Sequence, residues 1–90
     1  MPALLTRSPA RFWRLTITEP VGNREKNKRR EEVVEVLARH GLELVDAVPV
    51  DRRRQTLYLS AAHRIPWHVA AGAAAAVPGY VEDTLQGGRI

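Results

Sequence analysis

The chain contains no cysteine, and this absence removes several classes of function together. Disulfide frameworks, thiolate nucleophiles and cysteine-ligated metals are excluded, and a small domain without disulfides is typical of a reducing compartment. Residues 1–10 lack the continuous apolar stretch of a signal peptide, and the longest apolar run, residues 69–77, is too short to cross a bilayer. We therefore expect a cytoplasmic protein that does not bind membranes.

The sequence also lacks motifs that bind a cofactor or carry out catalysis. Gly-rich phosphate loops and nucleophile elbows are absent, and His40, His63 and His68 do not have the spacing of metal ligands. These absences predict a non-enzymatic protein with no cofactor and no metal. One alternative stays open, because the fold can bring His63 close to Asp46 or Asp51.

Basic residues outnumber acidic ones, with 14 Lys and Arg against 10 Asp and Glu, which gives a net charge of +4. A positive balance permits binding to nucleic acid or to another anionic surface, although it specifies neither. The positions of the basic residues are more informative than the net charge, because these residues occur in two short runs. These runs are Arg24, Lys26, Lys28, Arg29 and Arg30, followed by Arg52, Arg53 and Arg54.

The first basic run falls where a helix is predicted to begin, and positive charge opposes the helix macrodipole there. Phosphate groups would compensate, because Lys and Arg neutralise them and the free amides of a first turn attract anions. The alternative is a solvated helix surface moderated by acids, for example through a Lys28–Glu32 pair. The arginine run can extend the same surface or keep an exposed turn soluble. The sequence therefore predicts DNA or RNA as the partner, with an acidic protein as the alternative.

Apolar residues recur with a period of two in the first segment and 3.6 in the second. The period is two in each of the next two segments, 3.6 in the fifth and two in the last. Alternation predicts strands at residues 11–18, 42–50, 55–61 and 80–85. Helical spacing predicts a first helix that Asn23 or Asn27 caps and that ends near His40. A second helix is predicted with Pro66 in its first position and an end near Val77. The apolar stripe of the first helix is Val33, Val34, Leu37 and Ala38.

This order of elements is the split βαβ pattern of a ferredoxin-like βαββαβ sandwich. Such a fold has a four-stranded antiparallel sheet with two helices on one face. We expect one α+β domain over residues 11–86, with flexible tails at residues 1–10 and 87–90. Pro49 cannot donate to a strand ladder, so its strand is predicted to end at an edge or a bulge.

Alternation in the first and third strands assigns each side chain to one face of the sheet. The inward residues are Trp13, Leu15, Ile17, Leu57 and Leu59, and the open-face residues are Phe12, Arg14, Thr16, Tyr58 and Ser60. On the open face, Phe12 and Tyr58 can stack bases, as the aromatic residues of an RNA recognition motif do, or can contact a second subunit. Residues 55–63 lack the signature of that family, so we do not assign the chain to it.

A second class of function follows from the small size of the chain. A domain of 90 residues without disulfides buries a limited core, so association would add stability. The open sheet face and the alanine-rich second helix are the candidate surfaces. The alternative prediction is therefore a regulatory or assembly protein that forms a homodimer or binds another protein.

Overall fold

A computed structural model describes residues 9–88, which form one four-stranded sheet and two helices. The strands are β1 (Ala10–Thr18), β2 (Leu42–Pro49), β3 (Arg54–Ile65) and β4 (Gln86–Gly88), and the helices are α1 (Asn23–Arg39) and α2 (Trp67–Ala76). The sheet order is β2-β3-β1-β4, and neighbouring strands are antiparallel. The predicted α+β class is confirmed. Residues 1–8 of the predicted N-terminal tail lie outside the described residues, whereas Ala10 belongs to β1.

The core lies between one face of the sheet and both helices. The five side chains predicted to point inward from β1 and β3 are no more than 2% exposed, which confirms the register of both strands. Alanines of α2 complete the core, and their small size lets the helix lie close to the sheet. The Trp13 ring packs 6.2 Å from the Trp67 ring. Within residues 9–88, neither helix has the length and apolarity that a membrane span requires.

Helix α1 begins at Asn23, but the predicted asparagine cap is absent. Its N-cap residue is Gly22, at φ 103°, and no side chain caps the helix, so neither Asn23 nor Asn27 has the predicted role. Glycine adopts this positive φ without steric cost, which lets the chain turn sharply from β1 into the helix. The helix ends as predicted, with Gly41 at φ 75° after the last turn.

The inward stripe of α1 is narrower than predicted. Val33 and Leu37 are fully buried, whereas Val34 is 44% exposed and Ala38 is also exposed. Adjacent helical residues are separated by about 100°, so the positions following the two buried residues turn away from the sheet. The buried positions four residues apart define the face that packs on the sheet.

The β2–β3 hairpin has the predicted edge strand. Val50 donates its N–H to the Arg54 carbonyl at 3.0 Å, so the nitrogen of Pro49 faces away from β3 and no ladder bond is lost. Strand β3 continues to Ile65, beyond the predicted end at Ala61. The extension pairs with the start of β1, where Ile65 lies opposite Ala10. The register between β1 and β3 shifts between Ala10 and Phe12.

The prediction of the last strand was wrong. It was placed at residues 80–85, but Tyr80 forms only an isolated bridge and the paired strand is β4, so Gly87 and Gly88 belong to the sheet rather than to a tail. Gly87 lies opposite Trp13, and a Cβ on Gly87 would lie 2.7 Å from Cζ3 of the indole. The absence of a side chain therefore lets β4 lie directly against the ring.

Candidate functional site

Strand register places the two basic runs at the same end of the sheet. Thr18, the last residue of β1, pairs with Arg54, the first residue of β3. Helix α1 begins five residues after Thr18, and the β2–β3 turn precedes Arg54 directly. The turn therefore lies at the sheet end from which α1 departs, a point that the sequence left open. We call this region the basic end.

The basic run of α1 divides between two faces of the helix. Lys26, Arg29 and Arg30 are half-buried and continue the line of Val33 and Leu37 toward the N-terminus. At about 100° per residue, the other two bases lie on the opposite face, where both are exposed. These outward residues are Arg24 and Lys28. Arg29 and Arg30 contact the end of the sheet, where they donate to the Thr18 carbonyl and to the Gln55 side chain.

An open recess joins α1 to the arginine turn at the basic end. Its volume is about 810 Å³, and its lining residues come from the end of β1, from α1 and from the turn. Four arginines line it, namely Arg29, Arg52, Arg53 and Arg54, together with Thr18, Glu19, Pro20 and Asp51. The structure thus brings Arg29 together with the whole predicted arginine run.

Asp51 holds the turn and neutralises one of its arginines. Its carboxylate accepts Nε and Nη2 of Arg54 at 2.8 and 2.6 Å, and it accepts the backbone N–H of Arg53 at 2.9 Å. The hydrogen bond from the Arg54 side chain, followed by the one from the Arg53 backbone, holds the pKa of Asp51 below its ordinary value. Asp51 is therefore ionised at neutral pH, and the charges of Arg52 and Arg53 are left without a partner in the turn.

Unpaired positive charge extends over the basic end. Among the described residues, the ion pairs are Arg39–Glu35 and Arg54–Asp51, and both are exposed. The Lys28–Glu32 pair, which belonged to the alternative interpretation of a solvated helix surface, does not form within this part of the chain. The bases of the first run thus have no acidic partner at ion-pair distance among residues 9–88.

A partly buried chain of hydrogen bonds lies beside the recess. Gln55 donates to the Glu19 carboxylate at 2.9 Å and accepts Nη2 of Arg30 at 3.0 Å. Glu19 is only 7% exposed, and its backbone N–H donates to the Arg53 carbonyl at 2.7 Å. Gln55 and Glu19 therefore tie α1, β1 and the turn together, and Arg30 is part of this support. Nothing in the sequence indicated Glu19 or Gln55, although Asp51 before the arginine run is a recognisable turn former.

The first turn of α1 is already covered by a carboxylate. A Cβ on Gly22 would lie 3.0 Å from Oε2 of Glu25, which shows that this side chain folds back over the helix start. An acid at this position compensates the macrodipole. Glu25 therefore places a negative charge close to the start of α1.

The aromatic pair lies on the open face, as predicted, but away from the basic end. Phe12 is six residues before the end of β1, which corresponds to about 20 Å along the strand. A recess of about 140 Å³ lies beside Phe12 and Tyr58. Glu43 and Asp46 of β2 stand opposite Ser60 and Tyr58, so carboxylates flank the open face on that side. The structure therefore separates Phe12 and Tyr58 from the basic end, although the sequence offered both as possible contacts for nucleic acid.

The histidines do not assemble into a site in the described part of the chain. His63 lies nine residues along β3 from Arg54, so about 30 Å of strand separates it from the turn that contains Asp51. Asp46 pairs with Tyr58, five residues before His63, and is also distant from it. Within residues 9–88, no three His, Asp or Glu side chains are grouped so that they could hold a metal ion.

Comparison with known proteins yields no relative of this chain: no protein-family model, no curated protein and no solved structure matches it.

Proposed function

We propose that this protein is a non-enzymatic module that binds nucleic acid through the basic end. The observation that carries the proposal is the convergence of Arg29 from α1 with Arg52 and Arg53 from the turn around one open recess. Three arginine side chains from two distant segments of the chain share this surface. The alternative interpretation, a helix surface that is only solvated, gives no reason for arginines of α1 and of the turn to share one recess.

The energetics of the basic end favour a polyanionic partner. Arginine binds phosphate through a planar fork of donors, and each phosphate neutralised on nucleic acid releases counterions. Arg52 and Arg53 are exposed and have no acidic partner among the described residues, so a phosphate would not have to displace an internal ion pair. Arg54 contributes less, because Asp51 already neutralises it.

We also infer a ferredoxin-like arrangement of the fold and a cytoplasmic location. The first inference is supported by β1, which lies between β3 and β4 with antiparallel neighbours, and by the helices that follow β1 and β3. The second is supported by the lack of cysteine. Because ferredoxin-like folds serve many functions, the functional proposal depends on the basic end alone.

Fluorescence anisotropy with labelled, mixed-sequence oligonucleotides tests the proposal. Single-stranded DNA, duplex DNA and RNA would be titrated with protein between about 50 and 200 mM salt. If Arg29, Arg52 and Arg53 each neutralise one phosphate, the affinity for duplex DNA should fall about fortyfold over this range. Absence of binding to every pool at about 100 µM protein and low salt would rule the proposal out.

A labelled poly-glutamate chain serves as the control for the acidic-protein alternative. It carries carboxylates instead of phosphates at comparable charge density. If poly-glutamate binds as tightly as the oligonucleotides at the same salt concentration, the partner is an acidic protein and nucleic acid binding is rejected. Binding that is at least about tenfold tighter for one nucleic acid supports the proposal and identifies DNA or RNA as the ligand.

A further inference from the structure

The open face of the sheet has its opposite charges on opposite sides. Residues that stand directly across neighbouring antiparallel strands point to the same face, so the pairings define rows across the sheet. One row runs from Gln86 in β4 through Arg14 and Tyr58 to Asp46 in β2. Its positive group therefore lies toward β4, and its negative group lies at the β2 edge.

A second row repeats this polarity. It runs from Gly88 in β4 through Phe12 and Ser60 to Glu43 in β2. The Arg11 guanidinium lies 5.4 Å from the centre of the Phe12 ring, and its Nε donates to the Ala61 carbonyl of β3 at 3.1 Å, so a positive charge lies beside this row near β1 and β3. Each row thus has a positive charge at or beside β1 and an acid at β2.

None of these charges is neutralised by an acid–base pair among residues 9–88. Arg14 donates Nε to the side-chain carbonyl of Gln86 at 2.9 Å, which is a neutral acceptor. Asp46 accepts the backbone N–H of Ala47 at 2.8 Å, and Glu43 is exposed. Glu43 and Asp46 on one side of the face, and the two guanidinium groups on the other, are thus without an ion pair among the described residues.

We propose that two copies of this chain associate through their open sheet faces about a two-fold axis parallel to the strands. Such an axis reverses the strand order and preserves the position along each strand, so every row packs against the same row of the partner in reverse. Asp46 of each copy then lies over Gln86 of the other, and Arg14 lies over Tyr58. The arginine side chain stacks on the tyrosine ring and reaches the carboxylate one strand spacing, about 4.8 Å, further on.

The second row fits the same operation. Glu43 lies over Gly88 of the other copy, where the absence of a side chain leaves space beside Phe12 and Arg11. Asp83 lines the β4 side of the face together with Arg14 and Gln86, so Asp46 of the other copy approaches this carboxylate as well as the Arg14 guanidinium. The same axis pairs opposite charges in both rows, and the approach of Asp46 to Asp83 opposes the attraction in the first row.

The size of the face sets the expected strength of this dimer. A four-stranded sheet offers a footprint of about 20 by 20 Å per copy, which is below the area of a standard stable interface. We therefore expect a reversible dimer with a dissociation constant between about 10 µM and 1 mM.

Exchange of charges across the interface tests the proposal. Arg14→Glu places two acids in the first row of each copy, and Asp46→Arg places two bases there, so each variant alone should be monomeric in sedimentation equilibrium up to about 1 mM. An equimolar mixture should associate again, because both cross-contacts then pair opposite charges. Arg24→Glu makes the same charge change on the outer face of α1 and should leave the dimer intact.

Several results would overturn the inference. Wild-type protein that is monomeric up to about 1 mM would reject it, and so would a mixture that remains monomeric or a control variant that dissociates equally. Salt provides a check on unaltered protein, since an ionic interface requires the wild-type dissociation constant to rise at least several-fold between about 50 and 500 mM NaCl. If the protein is monomeric and Arg14→Glu instead abolishes oligonucleotide binding, the face stacks bases and the dimer is rejected. Oligonucleotide binding through the basic end can succeed or fail independently of this result.

Discussion

Gly87 lies opposite Trp13 in the β1–β4 pair, and its backbone contacts the indole ring where a side chain would collide with it. The neighbouring Gly88 has no atom within 4 Å of the position that a Cβ would occupy. Two adjacent glycines of one short strand thus stand in opposite environments. The difference offers a test at the scale of a single methyl group.

Gly87→Ala should destabilise the protein by about 1–3 kcal/mol, because its methyl group overlaps the Trp13 ring and forces the core or β4 to shift. Gly88→Ala is the matched control and should change stability by no more than about 1 kcal/mol in either direction. Urea denaturation followed by tryptophan fluorescence measures both. Equal effects of the two substitutions would show that β4 does not lie on the ring.

Asp51 offers a second test at the residue scale. Asp51→Asn keeps an oxygen for the Arg53 N–H but removes the charge that neutralises Arg54, so oligonucleotide affinity at about 100 mM salt should rise about three- to tenfold. Asp83→Asn is the control, because it makes the same charge change on the open face, and asparagine adopts its positive φ readily. Weaker binding by Asp51→Asn, or an equal gain in the control, would contradict the assigned role of Asp51.

At the scale of elements, α1 has a buried face and a solvent face that adjacent valines distinguish. Val33 is fully buried, whereas Val34 is 44% exposed. The sequence spacing alone assigned both to the core, because a stripe of four apolar positions spans more of the helix than the sheet covers. Contact with β2 decides which part of the stripe is used.

Val33→Ala should lower the free energy of unfolding by about 1.5–3 kcal/mol, since it removes buried methyl groups and leaves a cavity. Val34→Ala should change it by about 0.5 kcal/mol or less, because an exposed valine loses little contact and alanine favours the helix. Thermal denaturation by circular dichroism compares the two. A larger effect at Val34 would show that α1 is rotated by about 100° from the orientation described here.

The elements also show how much the sequence could predict. Strands β1 and β3 were predicted with their correct faces because five large apolar side chains alternate along them. Strand β4 was not predicted, since its glycines carry no side chains and therefore produce no periodicity. The basic end was predicted only as two separate runs. Their convergence depends on the pairing of Thr18 with Arg54, and register between distant strands is not encoded in local spacing.

At the scale of the whole molecule, the charged surfaces are spatially separated. The basic end lies beyond Thr18 and Arg54, and the mixed-charge open face is centred on Arg14 and Tyr58, several residues further along the strands. In the proposed dimer the axis is parallel to the strands, so both basic ends lie at the same end of the assembly. Two such ends could engage one nucleic acid and raise the apparent affinity through effective concentration.

The central claim is that the recess, and not positive charge in general, binds nucleic acid. Two double variants separate these possibilities, because each removes two exposed positive charges from residues without an acidic partner in the described chain. Arg52→Ala with Arg53→Ala removes charges that line the recess. Arg24→Ala with Lys28→Ala removes charges from the outer face of α1.

The decisive measurement is the salt dependence of oligonucleotide binding by these two variants, measured by anisotropy beside the wild-type protein. The recess variant should bind duplex DNA at least about tenfold more weakly at 100 mM salt, and its log–log salt slope should be shallower by about 1.8. The outer-face variant should lose less than about threefold, with a slope close to that of the wild type. Equal losses in both variants, or a greater loss in the outer-face variant, would contradict binding at the basic end.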